Sequence, residues 1–450
     1  MTVRLGKRYW LLWSSSSLAA LGDGMRLVAL PLLAYSVTDD PGNITLIMVF
    51  ASLPGLLVGP LAGVLVDRLD RRRVIAAANV LRAVPVLVFA AFVQSGEVRL
   101  PLVYALALLL PVFEVMVDSA VQPLMSELLP ETLLEKGNSR IFIARMLAQD
   151  VLGSPVAGAL MAVSASLPFL VNGATFLGAT VLVLLLGARP AVRGPLPAAV
   201  AAPGRDAPDR GAARVRRDLK EGMAAIWQTP MLRTIALTSA VLNFVLLVGS
   251  SLLVIYAKED LRLTDTQFAL LFSAAAVGSA LGGWAAPHIV ERLGTRLTMT
   301  VGLVAIGASR AGFGLAHGFW SAITAFFAIG TAWFVFGVAV TSYMQRATPN
   351  SLVGRVYATS QALSYGAAVL AALTAGALAR VTSVRSIMLI GGLAAIACGL
   401  VAWRTTSPGP DRDGRNAAQE QGNGPATVGP NADRAERPEL ADDLNTQALD

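Results

Sequence analysis

The sequence predicts an all-α membrane protein, with twelve transmembrane helices in two pseudo-symmetric six-helix bundles. Three observations lead there. Of the 450 residues, 55% are hydrophobic and only 14% charged, against about 25% charged in a soluble domain. Apolar runs of about 20 residues recur along the chain, each long enough to cross a bilayer core of roughly 30 Å. None alternates as a barrel strand does, so the need to satisfy the backbone in lipid leaves helices. Finally, stretches of the first half return in order in the second. Asp67-Arg68-Leu69 aligns with Glu291-Arg292-Leu293, the segment around Met125 and Pro130 with that around Met344 and Pro349, and Gly158-Ala159-Leu160 with Gly376-Ala377-Leu378. Such repeats argue for two homologous halves around a central path.

Spans are expected at 10–37, 44–66, 74–95, 101–125, 139–162, 166–187, 231–257, 266–290, 297–316, 320–343, 355–379 and 385–404. The first follows Arg4, Lys7 and Arg8, but it is too long for a cleaved leader and carries Asp23 and Arg26. The second ends in a dense charged knot, Asp67 to Arg73, which must stay in water before the third begins. Most connections are short, as antiparallel neighbours require. Residues 188–230 are the exception: rich in Ala, Pro, Gly and Arg, they read as a linker, and 213–228 has the composition of a basic surface helix. Residues 405–450 are polar and rich in Gly, Pro and Asn, the composition of a disordered tail. The expected organisation is a bundle at 1–187, the linker at 188–230, a bundle at 231–404 and the tail at 405–450.

With a cytoplasmic N-terminus, only Arg99, Lys258, Arg262, Arg380 and Arg385 of the 36 Lys and Arg fall outside, and Arg26, Arg82, Arg145 and Arg310 lie within spans. Short cytoplasmic loops favour Lys and Arg, so both termini are expected in the cytoplasm. The net charge of +7 is explained by that bias without a nucleic-acid partner. Cys398 is the single cysteine, which excludes an intrachain disulfide and a thiolate metal cluster. The abundance of Ala, Gly and Arg over Lys suggests a bacterial source and hence the inner membrane.

The stretch Gly63 to Arg72, GVLVDRLDRR, resembles the signature loop after the second helix of the major facilitator superfamily, Gly-x-Leu-x-Asp-Arg-x-Gly-Arg-Arg. Gly63, Leu65, Asp67, Arg68, Arg71 and Arg72 fit, and Asp70 replaces the glycine. The segments 18–33 and 347–358 resemble the branch that exports macrolides, tetracyclines and enterobactin. The resemblance spans residues 8–404. It implies a latch in which Asp67 meets the start of the eleventh helix while Arg71 or Arg72 meets Glu127. A carboxylate at a helix N-terminus is favourable in itself; the alternative is that these charges only fix topology. Gly55, Gly59 and Gly63 recur every fourth residue, a spacing that permits close helix contact. In the fifth helix, Gly153, Pro155 and Gly158 match the antiporter pattern Gly-Pro-x-x-Gly-Gly, with Ser154 and Ala159 in place of glycines. A proline among small residues makes a hinge or a tight packing point.

Ionisable groups in hydrocarbon are expensive and usually functional. The first half has Asp23, Arg26, Arg82, Glu114, Asp118, Arg145 and Asp150 inside its spans; the second has Arg310 and no carboxylate in spans nine to twelve. Proton handling therefore falls to the first half, unless these groups are structural ion pairs. Arg26, one turn from Asp23, should keep it ionised. Glu114 and Asp118, at i and i+4, would share one low-dielectric site, so one of them is expected to hold a proton near neutral pH. Glu114, the deeper, is the principal candidate for a proton carrier. Arg82 and Arg145 are expected to snorkel or to pair with Asp118. Asn243 and Trp333, with Phe244, Phe334 and Phe336, are candidates for a cavity lining. His288 and His317 lie near span ends and read as interfacial.

There is no P-loop, catalytic triad or metal-ligand cluster, so no enzyme chemistry is indicated. The resemblance and the embedded charges together imply a proton-coupled efflux antiporter. It would work as a monomer in the bilayer without a cofactor, driven by the proton gradient, and would move a small amphipathic compound such as an antibiotic or siderophore. A nutrient or metabolite importer of the same fold and a non-transporting membrane sensor are the alternatives.

Overall fold

The computed structural model describes residues 5–59, 62, 66, 69–187, 223, 227, 230–347 and 353–405. Gly63, Asp67 and Arg68, the expected tail from 406 on, and the expected surface helix at 213–228 except Met223 and Trp227 lie outside the described residues. Among those described, every regular element is helical. In order they are α1 (Lys7–Val37), α2 (Pro41–Leu57), α3 (Arg71–Ser95), α4 (Leu100–Leu128), α5 (Glu131–Met146), a π-helical segment (Leu147–Gly153), α6 (Ser154–Val163) and α7 (Leu167–Leu184). Then follow α8 (Pro230–Ser251), the single turn α9 (Leu253–Ile255) with a second π segment (Tyr256–Asp260), α10 (Asp265–Gly314), α11 (Phe319–Ala347), α12 (Val353–Ala379) and α13 (Val384–Thr405). Eight of the described helical runs are long and apolar enough to cross a bilayer, or nine when Leu237–Ser251 and Leu253–Asp260, bent by 49°, are taken as one span.

Local chemistry sets the helix ends. Asp40 caps α2 by accepting from the Gly42 N–H at 3.2 Å, with Pro41 in the first turn where its missing N–H does no harm. Asp70, the residue that replaces a motif glycine, caps α3 by accepting from the Arg72 and Arg73 N–H groups at 3.0 and 3.3 Å. Thr264 and Gln267 close a reciprocal capping box at the start of α10.

Three spans depart from expectation. The eighth and ninth form one 50-residue run, α10. At 1.5 Å per residue that is about 75 Å, more than twice the bilayer core. The break falls at Gly294, whose φ of 75° and ψ of 159° suit only glycine. The fifth span starts early, at Glu131, and carries the π segment just before Pro155. Proline has no N–H for the preceding turn, and its ring needs room there; a wider π turn supplies it.

The buried cores divide unevenly. One joins Val28, Leu32 and Ala157 of the first half to Leu252, Phe268 and Phe313 of the second. It lies toward the end of the molecule where α1 turns into α2. Elsewhere the cores stay within one half: Tyr9, Leu12, Val74 and Leu124 in one, and Leu242, Met299, Leu303 and Phe336 in another. Phe336, a candidate for the cavity lining, is therefore a core residue.

Candidate functional site

A cavity of about 280 Å³ lies between the two halves. Arg26, Leu30 and Met48 face it from α1 and α2; Phe272, Arg310 and Trp333 face it from α10 and α11. Its wall is mostly aliphatic and aromatic, the usual make-up of a small-molecule site. Trp333 stands where the sequence suggests, whereas Asn243 of α8 is not part of the wall.

Beside the cavity the embedded charges form a network that the sequence only half shows. Arg82 of α3, 1% exposed, donates to Asp23 of α1, 4% exposed, and its guanidinium lies 4.1 Å from the centre of the Phe176 ring. Arg26 lies 3.6 Å from Asp23 but donates to Glu114 of α4 at 3.1 Å, and Arg82 is 3.7 Å from the same carboxylate. Arg82 thus pairs with Asp23 and Glu114, not with Asp118. Asp118 takes Arg145, at 2.7 Å. Glu114 and Asp118 therefore do not stand as an unrelieved pair of like charges: each has its own arginine. Three acids face three bases, and Arg26 belongs both to this network and to the cavity wall.

Asp150 stands apart, in the π segment. Its backbone carbonyl accepts from the Ser273 hydroxyl of α10 at 3.3 Å, and no described base pairs with its carboxylate. Gly153, Pro155 and Gly158 follow it in the chain. A Cβ on Gly153 would stand 2.7 Å from the Leu21 carbonyl oxygen; one on Gly158 would stand 2.6 Å from the Ala269 Cβ and 2.9 Å from the Asp265 carbonyl oxygen. These glycines let α1 and α10 pack against the fifth span at backbone distance.

The seam between the halves closes near residues 38–42. Arg380, just after α12, donates to Asp40 at 2.9 Å. This guanidinium holds the Asp40 carboxyl below its ordinary range, helped by the Gly42 N–H. A Cβ on Gly376 would stand 2.6 Å from the Thr45 hydroxyl, so α2 and α12 also touch through small residues. Gly55 abuts Tyr365 of α12, while Gly59 has nothing within 4 Å. Arg71 and Glu127 are bonded, but they join α3 to α4 within one half; Arg72 turns to its own cap residue, Asp70, at 3.6 Å.

These features can be set beside known proteins. The MFS-type transporter YfiS of Bacillus subtilis (strain 168) is 27% identical over 400 residues, covering 87% of this chain and 91% of that protein. The multidrug efflux pump Tap of Mycolicibacterium fortuitum is 25% identical over 399 residues, covering 85% and 92%. In fold, the chain is similar to the nucleoside transporter NupG, with a TM-score of 0.68 at 13% identity over 89% of this chain and 99% of that one. It is also similar to a bacterial homologue of the iron transporter ferroportin in its inward-facing state, with a TM-score of 0.66 at 16% identity over 90% and 98%. The model of the Major Facilitator Superfamily matches residues 12–372. A membrane chain whose described regular elements are all helices, with a cavity between its halves and matched over that length, is a transporter and not an enzyme: it belongs to the major facilitator superfamily.

Proposed function

We propose that the protein is a proton-coupled efflux antiporter that exports a small amphipathic compound, such as an antibiotic or siderophore, by alternating access. The cavity carries this reading: it lies between the halves and beside the charge network, with Arg26 common to both. The similarity to the efflux pump Tap supports the direction. The positive-inside bias assigns the closed seam at residues 38–42 to the outer face. The two halves, 1–187 and 231–404, rock about the cavity, with the 188–230 linker and the 405–450 tail in the cytoplasm. The protein works as a monomer in the bacterial inner membrane and needs no cofactor beyond the gradient.

Glu114 is the proposed proton carrier. Loading a proton there means giving up the Arg26 partner, and Arg26 can leave because it already faces the cavity. Asp23 and Asp118, each held by an arginine, and Asp150, with none among the described residues, are the next candidates. Gly63, Asp67 and Arg68 act with Arg71 and Glu127 as a latch on the cytoplasmic side. The Arg71–Glu127 pair is the described part of that latch. Gly153, Pro155 and Gly158 form the hinge of the fifth span.

The test is export by protein reconstituted in vesicles with an imposed pH gradient, read with lipophilic fluorescent dyes. Wild-type protein should move dye only with the gradient present, and Glu114→Gln should abolish movement while dye binding persists. Wild-type rate and pH dependence in Glu114→Gln would transfer the role to another acid. Movement of dye that ignores the gradient would remove proton coupling.

A further inference from the structure

Among the described residues, Arg310 is the one embedded charge on the cavity wall without a counter-charge. It lies near the end of α10, 4% exposed, and faces the apolar cavity opposite Arg26. Its side chain donates to the Met388 sulfur at 3.3 Å, a weak acceptor, and its Nε has no partner. No described carboxylate pairs with it. Gly249 of α8 makes room for it, since a Cβ there would overlap the guanidinium. An arginine does not shed its proton at physiological pH, and a buried charge without a partner is strongly unfavourable. Leucine or methionine would fill the same place without that penalty. A group held at such a disadvantage, in a niche cleared by glycine and aimed into a ligand-sized space, has the properties of a recognition element.

We propose that Arg310 is the counter-ion for the cargo, and that the cargo is an amphipathic organic anion. Its single carboxylate or similar anionic group would meet the guanidinium, and its aliphatic or aromatic body would lie between Phe272, Phe326 and Trp333. This rests on the transporter reading above and specifies what that transporter carries. A planar guanidinium offers two parallel donors to a carboxylate, so the anion should be preferred over an amide of the same shape. A cation of that shape should bind most weakly, because it would face the unpaired Arg310 guanidinium while Arg26 already has its own carboxylates.

The experiment compares three probes of one size on purified protein in lipid nanodiscs: naphthylacetate, its neutral amide and naphthylethylammonium. Wild-type protein should bind the carboxylate at least tenfold more tightly than the amide, and the ammonium most weakly. Arg310→Met should bring carboxylate and amide within about twofold of each other without weakening the amide, and Arg310→Lys should keep part of the preference. Without any probe, Arg310→Met should melt at or above the wild-type temperature, which a merely structural arginine would not allow. Gly249→Ala, which displaces the guanidinium and keeps its charge, should also lose the preference; it tests the idea even if Arg310→Met fails to fold. A preference that survives Arg310→Met, a wild type that prefers the ammonium, or one that binds none of the three overturns the proposal. Gradient-driven dye export without an anion preference would leave the exporter reading standing and remove this one. Anion preference without gradient-driven movement would do the reverse.

Discussion

The charged network inside the first half and the seam between the halves are built from opposite materials. The network is centred on the buried Asp23–Arg82 pair and made of charged side chains: Asp23, Arg82 and the half-buried Glu114 and Arg26 tie α1, α3 and α4 together. The seam joins an apolar core, Val28 and Leu32 against Leu252, Phe268 and Phe313, to close contacts through glycines and short hydroxyl side chains, with Arg380–Asp40 as an exposed ion pair at its edge. The contrast follows from what each must do. Under the proposed alternating access, helices within a half move as a body, so their contacts can be strong and all-or-none. Contacts across the seam then form and break in every cycle, and a two-state equilibrium is usable only when the states lie within a few kcal/mol of each other.

The largest expected effect tests the first side of this contrast. Arg82→Gln leaves Asp23 buried with only the more distant Arg26. Removing one partner of a buried pair costs about 3–5 kcal/mol, a large part of a total stability of about 5–15 kcal/mol. Thermal melts in nanodiscs should show a severe loss, and the double variant Arg82→Gln with Asp23→Asn should recover much of it. If Arg82→Gln melts like wild type, the network does not hold the half together and the contrast fails.

How much of this is legible in the sequence follows the same division. The helices are, because apolar run length is a local property: helix is present at each of the twelve apolar runs, and eight or nine of the described helices are long and apolar enough to span. The break at Gly294 reads as a loop between spans, when one residue suffices, because backbone dihedrals are not written in hydropathy. The list of embedded charges is complete in the sequence, but their pairing is not. Arg26 is one turn from Asp23 in sequence, yet Arg82, 59 residues on, donates to it, because helix packing and not spacing sets such distances. Arg145 with Asp118 is one of two options that the sequence leaves open, and it is the pair observed. The isolation of Arg310 can be suspected from the lack of acids in the last four spans; that Gly249 clears its niche cannot. Asp70 looks like a flaw in a motif, although an aspartate before a basic helix start is also a capping signal.

A second, smaller effect is expected within the network. Glu114→Gln keeps the shape and removes one acceptor charge from Arg26, while Arg82 retains Asp23. Loss of a charge-assisted hydrogen bond is worth about 1.5–3 kcal/mol. The melting temperature should fall by less than in Arg82→Gln, and the protein should remain folded. A fall as large as that of Arg82→Gln would mean that Glu114, not Asp23, is the main anchor of the arginines.

At the seam, Gly158→Leu should act on the balance of states more than on folding. The added side chain meets the Ala269 Cβ and the Asp265 carbonyl only while the seam is closed. Overpacking costs about 1–3 kcal/mol, and the protein can escape it by opening that end. Labelling of a cysteine placed at Thr45 should accelerate by about tenfold or more, with the melting temperature changed little. Equal labelling rates, together with a fall in stability like that of a core variant, would show that the fifth span and α10 are locked as firmly as the helices within a half.

The smallest effect is expected at Asp40–Arg380, and it concerns pH. The arginine lowers the proton affinity of Asp40, so the carboxylate is stabilised in the closed seam. The pair contributes above the ordinary aspartate value of about 3.9 and is lost only as pH falls through the still lower value of the folded state. Between pH 5 and 8 it is therefore constant and cannot supply a pH-dependent step. Both side chains are substantially exposed, 36% and 62%, so solvent screening keeps the contribution small. Asp40→Asn should change the ratio of open to closed seam by less than about fivefold. The shape of the pH profile of transport should stay as it is, because the proposed proton carrier is Glu114, not Asp40. A profile that shifts in Asp40→Asn would place proton handling at the seam itself, and the division between a firmly tied interior and a lightly held, proton-silent edge would have to be given up.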